Sequence, residues 1–331
     1  MFSPPLVSII TPGFNCGRVL HRLLESVLAQ TQQNMEFIFV NDGSTDETAE
    51  VLERYRPRFA QQGIDMIVLV QENQGAAAAL ANGLQHASGK YLCWCDADDY
   101  YEPTAMEVRT DFLEKHPECI CVSGKAYVRS SDDMSVLSML APPIDAEVQG
   151  SMFMRVLRDD GAYYCCGAHM LRTSAFLQAN PSRYLYPSLA GQNIQMLLPV
   201  WYKQKVCAID IPVYNYVLYR DSHSRKPRTK EQMLERYGDF HKIRTETLRR
   251  MQIPKRESDE FEQISLLTMH KAFLRIAMQY GDKALLRQER DFLKHHHAYD
   301  WVCKKYYLEA TNPVYRCLIR IYRRLRMIRK K

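Results

Sequence analysis

The chain has 331 residues, 46% of them hydrophobic and 25% charged, with a net charge of +6. These values are those of an ordinary soluble globular protein, long enough for one large domain plus a smaller one with ample core. No stretch approaches the roughly 18 consecutive apolar residues of a membrane span. The ten cysteines include no C-x-x-C pair, which argues against a zinc knuckle; reduced thiols, several of them core fillers, are expected in a cytoplasmic protein. The N-terminus has no charged segment leading into an apolar one, so no secretory signal is expected.

Residues 6–11 read as a strand halted by Pro12-Gly13, and residues 17–30 carry an apolar stripe at 19, 20, 23, 24, 27 and 28, the spacing of a helix. Residues 36–40 form a second strand that ends in Asn41-Asp42-Gly43-Ser44-Thr45-Asp46. Ser44 or Thr45 is expected to cap a helix reaching to about residue 60. Residues 64–70 are a third strand and 75–87 an alanine-rich helix. Strand–helix alternation at this spacing predicts an α/β layer with a mostly parallel central sheet and right-handed crossovers.

The fourth strand, opened by Gly89, runs through Tyr91-Leu92-Cys93-Trp94-Cys95 into Asp96-Ala97-Asp98-Asp99. Open α/β sheets bind ligands at the C-terminal ends of their strands. Acids packed so closely repel one another, and a hard divalent cation such as Mg²⁺ or Mn²⁺ would reconcile them; an acidic turn before a helix starting near Pro103 is the plainer alternative. Asp42, Asn73 and the Asp96–Asp99 group each follow a successive strand, so they should converge on one crevice. No G-x-G-x-x-G follows the first strand and no G-x-x-x-x-G-K-[ST] occurs, which argues against a dinucleotide oxidoreductase and a P-loop ATPase.

Four blocks carry a resemblance: residues 6–15 ending Thr11-Pro12-Gly13-Phe14-Asn15, then residues 39–46, then Glu72-Asn73-Gln74-Gly75, then residues 91–99. In this order and spacing they resemble the family 2 glycosyltransferases of GT-A fold, over about the first hundred residues. The resemblance, of a bacterial surface-polysaccharide type, implies an inverting hexosyl- or N-acetylhexosaminyltransferase. It would use a nucleoside diphosphate donor, a UDP-sugar first among the candidates, with Mn²⁺ or Mg²⁺. It implies that Asp42 reads the nucleobase or ribose, that Pro12, Asn15 and Asn73 lie along the nucleotide, and that Asp96 is the ribose- and metal-side acid. Asp98 becomes the direct metal ligand, and Asp99 faces the donor sugar or acceptor. The family often has Arg-Asn where this chain has Ala81-Asn82, so a cation near the phosphates is either missing or supplied from elsewhere.

Residues 120–128 read as the next strand and 130–150 as a polar loop near the acceptor. Residues 163–172 look like a strand entering a short helix, with His169 read as a core or hydrogen-bonded histidine. Gln192-Asn193 stands where many relatives carry Glu-Asp, whose aspartate deprotonates the acceptor. An amide has negligible basicity. Asn193 is therefore expected to position the acceptor while Asp99, or else Asp159 or Asp160, takes the proton. A strand over 211–219 is followed by the basic run Arg220 to Lys226. There the resemblance implies that His223 completes the metal shell, and Arg220 can neutralise the departing diphosphate.

From residue 229 helical spacing takes over, at 231–252, 257–280, 282–296 and 313–328. The expected division is a GT-A domain over 1–226 and a helical C-terminal region over 227–331. Residues 316–331 contain eight Arg or Lys and no acid, around Leu318, Ile321, Leu325 and Ile328. That pattern suits a helix on an anionic bilayer, at the inner face of the cytoplasmic membrane, rather than nucleic-acid binding. The expected acceptor is a growing cell-surface glycan such as lipopolysaccharide, O-antigen or capsule, free or lipid-linked. Two rivals are a nucleotidyltransferase, which would need a lysine-bearing loop absent from residues 11–17, and a catalytically silent nucleotide-sugar-binding module, suggested by Gln192-Asn193.

Overall fold

Strand β1 (Val7–Gly13) and strand β2 (Met35–Asn41) are apolar and buried along almost their whole length. Burial on both faces is what a central parallel sheet covered by helices requires. The computed structural model describes residues 6–143, 148–188, 191–219 and 227–328. Helix α1 (Gly17–Leu28) leads from β1 to β2, α2 (Thr48–Gln61) from β2 to β3 (Asp65–Val70), and α3 (Ala76–His86) from β3 to β4 (Tyr91–Trp94). The sheet order is β3-β2-β1-β4, all parallel, which is the predicted alternation.

Beyond β4 the sheet becomes mixed. β4 pairs antiparallel with β8 (His169–Arg172), β8 antiparallel with β6 (Cys121–Ser130), and β6 parallel with β9 (Cys207–Leu218). The short β5 (Tyr100–Tyr101) closes that edge on β9. Around it lie α4 (Ala105–Lys115), α5 (Ser151–Arg158), α6 (Thr173–Ala179) and α7 (Gln192–Trp201).

Two local features fix where β4 ends. Gly89 opens it because a Cβ there would sit 2.6 Å from the Ser8 backbone nitrogen, too close for any side chain. The buried Glu36 then accepts from the Ser88 N–H at 2.6 Å and the Ser8 hydroxyl at 2.5 Å. This brace sets the register of β4 on β1, and with it the position of the acids at the far end.

Three expectations are corrected. The helix after β2 is met by Asp46, whose Oδ1 accepts from the Thr48 N–H at 3.1 Å, while Ser44 and Thr45 turn to Asn15 instead. The carboxylate sits nearer the first turn, and its charge suits a helix N-terminus. The loop expected over 130–150 contains a strand, β7 (Val136–Leu140), paired antiparallel with β6; its exposed apolar side chains lack the alternation that marks a half-buried strand. Cys119 and Cys207 form a disulfide with Cα atoms 6.1 Å apart, so these two are not reduced thiols. They lie close because β6 and β9 run side by side, with Val122 opposite Cys207.

The chain divides into two compact units, Met1–Lys226 with Glu246–Ile253 and Pro227–Thr245 with Pro254–Lys331. The second is helical: the first part of α8 (Lys230–Arg250), then α9 (Lys255–Tyr280), α10 (Lys283–His295), α11 (Trp301–Thr311) and α12 (Pro313–Ile328). Leu274, Ala277, Leu286, Leu293 and Cys303 form its core. Asp282 caps α10 and Asp300 caps α11 through backbone N–H groups.

Candidate active site

The C-terminal ends of β1, β2 and β4 open on one cavity of about 590 Å³. Pro12, Asn15, Asp42, Asp96 and Asp98 are all in its wall. Asn15 takes a left-handed backbone (φ 49°), and its Oδ1 accepts from the Thr45 N–H at 2.8 Å. It therefore ties the loop after β1 to the loop after β2. Asp42 is buried and accepts from Gln71 Nε2 at 2.8 Å, the Gln74 N–H at 2.9 Å and the Gly75 N–H at 2.8 Å. Gly75 lies at φ 87°, a conformation that favours glycine, and so brings its N–H to the carboxylate as α3 begins. Asn73, predicted to join these residues, is exposed and is not in the cavity wall; its backbone packs near Gly43 instead.

The acidic group divides by depth. Asp98 is in the cavity wall; burial raises its pKa, and the charge of Arg22 opposes that rise. Asp96 is pushed up to about 6, first by burial and then by Asp98. Asp99 lies deeper, at 1% exposure. Its Oδ2 accepts from the Tyr214 hydroxyl at 2.9 Å and its Oδ1 from the Val217 N–H at 2.7 Å. Burial, with Asp98 and Asp96 behind it, holds its carboxyl well above the usual range. Asp99, expected from the sequence to face the donor sugar or acceptor, is in the wall of neither cavity.

A second cavity of about 340 Å³ adjoins the first, with Leu140, Ala162, Tyr163, Tyr164, Cys165, Cys166, Asn193 and Tyr216 in its wall. Asp96 belongs to both cavities. Asn193 is the second residue of α7, which starts at Gln192 behind Gly191. Its Oδ1 accepts from Trp94 Nε1 at 2.7 Å, and its Nδ2 donates to the Tyr164 carbonyl at 3.1 Å. His169 is fully buried between the Ser123 hydroxyl and the Tyr163 carbonyl, 2.7 and 2.9 Å from its ring nitrogens, as a core histidine. Arg220 and His223 lie outside the described residues. Tyr164 lies in the stretch 163–172 that the family resemblance places at the acceptor floor, whereas Tyr216 and Tyr219 are not singled out by the sequence reading; the alternating strand end Tyr214-Asn215-Tyr216 is the available signal for them.

The residues fit a hard divalent ion. One ligand atom each from Asp96, Asp99 and Cys166 falls within 4.8 Å of the others. The Cys166 thiol is held well above its ordinary pKa by burial and by Asp96, so it stays neutral and a poor ligand. Of the two carboxylates in that group only Asp96 faces a cavity; with Asp98, which lies in the same wall though outside the close group, it offers the carboxylate oxygens that Mg²⁺ or Mn²⁺ prefers.

The family model for glycosyl transferase family 2 matches residues 8–178, and the chain belongs to that family. Its fold is GT-A. It is 33% identical over 178 residues to the provisionally named glycosyltransferase EpsE of Bacillus subtilis (strain 168), covering 53% of this chain and 59% of that protein. S. aureus TarS 1-349 in complex with UDP-GlcNAc superposes with a TM-score of 0.59 at 17% identity, over 94% of this chain and 83% of that one. The mannosyltransferase PcManGT from Pyrobaculum calidifontis, in complex with GDP-Man and Mn²⁺, gives 0.53 at 16% identity, over 94% and 86%. The match to EpsE spans about three-fifths of that protein's length. No described helix is long and apolar enough to cross a membrane.

Proposed function

We propose that this chain transfers a hexosyl or N-acetylhexosaminyl group, with inversion, from a nucleoside diphosphate to a hydroxyl of a growing cell-surface glycan. A UDP-sugar is the donor we favour. The single observation that carries the reading is the placement of Asp96 at the junction of two cavities, one walled by Pro12, Asn15, Asp42 and Asp98 and the other by tyrosines and Asn193. A transferase needs two such rooms with a shared wall, so that donor carbon and acceptor oxygen approach in line. Tyrosine faces suit a sugar acceptor, because they offer apolar rings with polar edges.

In this reading Asp42 and Asn15 hold the nucleoside, and Asp98 holds the divalent ion, with His223 added by the family resemblance. Mn²⁺ or Mg²⁺, when bound, supplies positive charge for the departing diphosphate. Asn193, locked by Trp94 and Tyr164, orients the acceptor. Asp96 accepts the acceptor's proton, since it is the carboxylate that both walls share. Asp99 supports Asp96 and Asp98 from beneath.

The test is release of nucleoside diphosphate from a panel of UDP-, GDP- and dTDP-sugars in the presence of glycan acceptors, with the anomeric configuration of the product read by NMR. Inversion supports the reading, and retention of configuration contradicts it. Tight binding of one nucleotide sugar with neither transfer nor hydrolysis would instead identify a silent binding module. The same reading sets α12 on an anionic membrane, supported by the exposure of Val314, Leu318 and Ile321 on that helix.

A further inference from the structure

Among the described wall residues of the larger cavity, charge is one-sided. They include the carboxylates of Asp42, Asp96 and Asp98, and no Arg, Lys or His. A nucleoside diphosphate brings further negative charge into the same space, so positive charge has to come from an ion or from just beyond the wall. Position 81, where the family resemblance suggests an arginine, is Ala81. Its neighbour Asn82 is committed to Gln71, with Nδ2 donating to Oε1 at 2.9 Å.

Arg22 stands at the rim. It follows Val19, a wall residue, by three positions on α1, which puts the two on one helical face. Its Nη2 donates to the Tyr219 hydroxyl at 3.0 Å, and Tyr219 is itself in the wall. Its Nη1 lies 3.3 Å from Met134 Sδ. Both partners are neutral, and among the described residues no carboxylate forms an ion pair with Arg22. The guanidinium carries five N–H donors, so several are left for a ligand. Its charge already reaches the cavity floor, where it opposes the effect of burial on Asp98.

We propose that Arg22 binds the terminal phosphate of the nucleoside diphosphate, with Tyr219 and Met134 holding its guanidinium at the rim. The inference rests on the donor reading above. As the bond from the anomeric carbon to the phosphate oxygen breaks, its electron pair stays on that oxygen. Arg22 meets the charge that appears there, and a charge-assisted hydrogen bond to phosphate is the strong kind.

The experiment is calorimetric titration of UDP, GDP and dTDP, and of the matching monophosphates, into wild type, Arg22→Met and Arg22→Lys, with Mn²⁺ present. Methionine keeps the apolar stem and removes the charge; lysine keeps the charge and loses the fork. Arg22→Met is expected to weaken the preferred diphosphate by about tenfold or more and to leave the monophosphate within about twofold. Arg22→Lys is expected to recover part of the loss. Equal weakening of both nucleotides, or of neither, overturns the role of Arg22 while leaving the donor reading intact. A wild type that does not prefer any diphosphate over its monophosphate removes the donor reading and this inference together. Unchanged thermal unfolding of the ligand-free variants separates lost binding from lost fold.

Discussion

Trp94 donates its indole N–H to Asn193 Oδ1 at 2.7 Å, while Asn193 Nδ2 donates to the Tyr164 carbonyl at 3.1 Å. An indole can only donate and a carbonyl can only accept, so position 193 has to present both functions at once. An amide does so and an ionised carboxylate does not. This gives a physical reason for an asparagine at this position.

Asn193→Asp is therefore expected to turn a carboxylate oxygen toward the Tyr164 carbonyl and to lower stability by about 1–3 kcal/mol. Thermal unfolding and transfer rate, measured together near neutral pH, check this. A variant that unfolds earlier and transfers no faster fits the assignment of the proton to Asp96. A variant that transfers faster would put the base at position 193.

The second prediction concerns pH. Asp96 is held at about 6 by burial and Asp98, and an unfolded carboxyl titrates near 4. The native state thus binds this proton more tightly than the unfolded chain. Its contribution to stability is complete below about pH 4 and is lost as pH rises through about 6. Asp98 and Asp99 are shifted in the same direction. In metal-free protein, Asp96→Asn should shrink the stability difference between about pH 5 and about pH 7 in denaturant titrations. Mn²⁺, which competes with these protons, should stabilise wild type more at the higher pH. An unchanged difference in the Asn variant contradicts the shift.

Much of the larger cavity's wall was legible in the sequence because strand ends fix backbone position. Pro12, Asn15, Asp42, Asp96 and Asp98 each sit just past an apolar run, and strand alternation brings such places together on one edge. Asn73 failed the same logic: Asp42 binds the backbone of Gln74 and Gly75, and the turn leaves the Asn73 side chain outside the wall. The depth of Asp99 was not legible either, since it depends on Tyr214 and Val217, more than a hundred residues along the chain. The Cys119–Cys207 pairing likewise depends on β6 lying beside β9, a contact that local pattern does not encode.

That disulfide gives a third prediction. It closes 88 residues of chain, a loop for which the chain-entropy estimate is about 4–5 kcal/mol. Cys119→Ser should lower the unfolding midpoint under oxidising conditions, and reductant should bring wild type down to the variant. The mass change on alkylation with and without reductant reports the pairing directly. Identical midpoints in both conditions argue against it.

A fourth prediction addresses α12. Removal of residues 313–331 should abolish sedimentation with vesicles containing phosphatidylglycerol and leave nucleotide binding unchanged. Added salt should weaken the interaction of the full chain, because screening acts on exposed charge. Equal sedimentation of the full and shortened chains contradicts a membrane role for this helix.

In the proposed function, Asp98 and its neighbours form a metal-dependent nucleotide-sugar site. The most direct measurement is calorimetry of UDP-, GDP- and dTDP-sugars against wild type and Asp98→Ala, with and without Mn²⁺. One donor is expected to bind the wild type when metal is present, to bind it weakly without metal, and to lose that metal dependence in the variant. Binding that is indifferent to metal, or identical in Asp98→Ala, would contradict this reading.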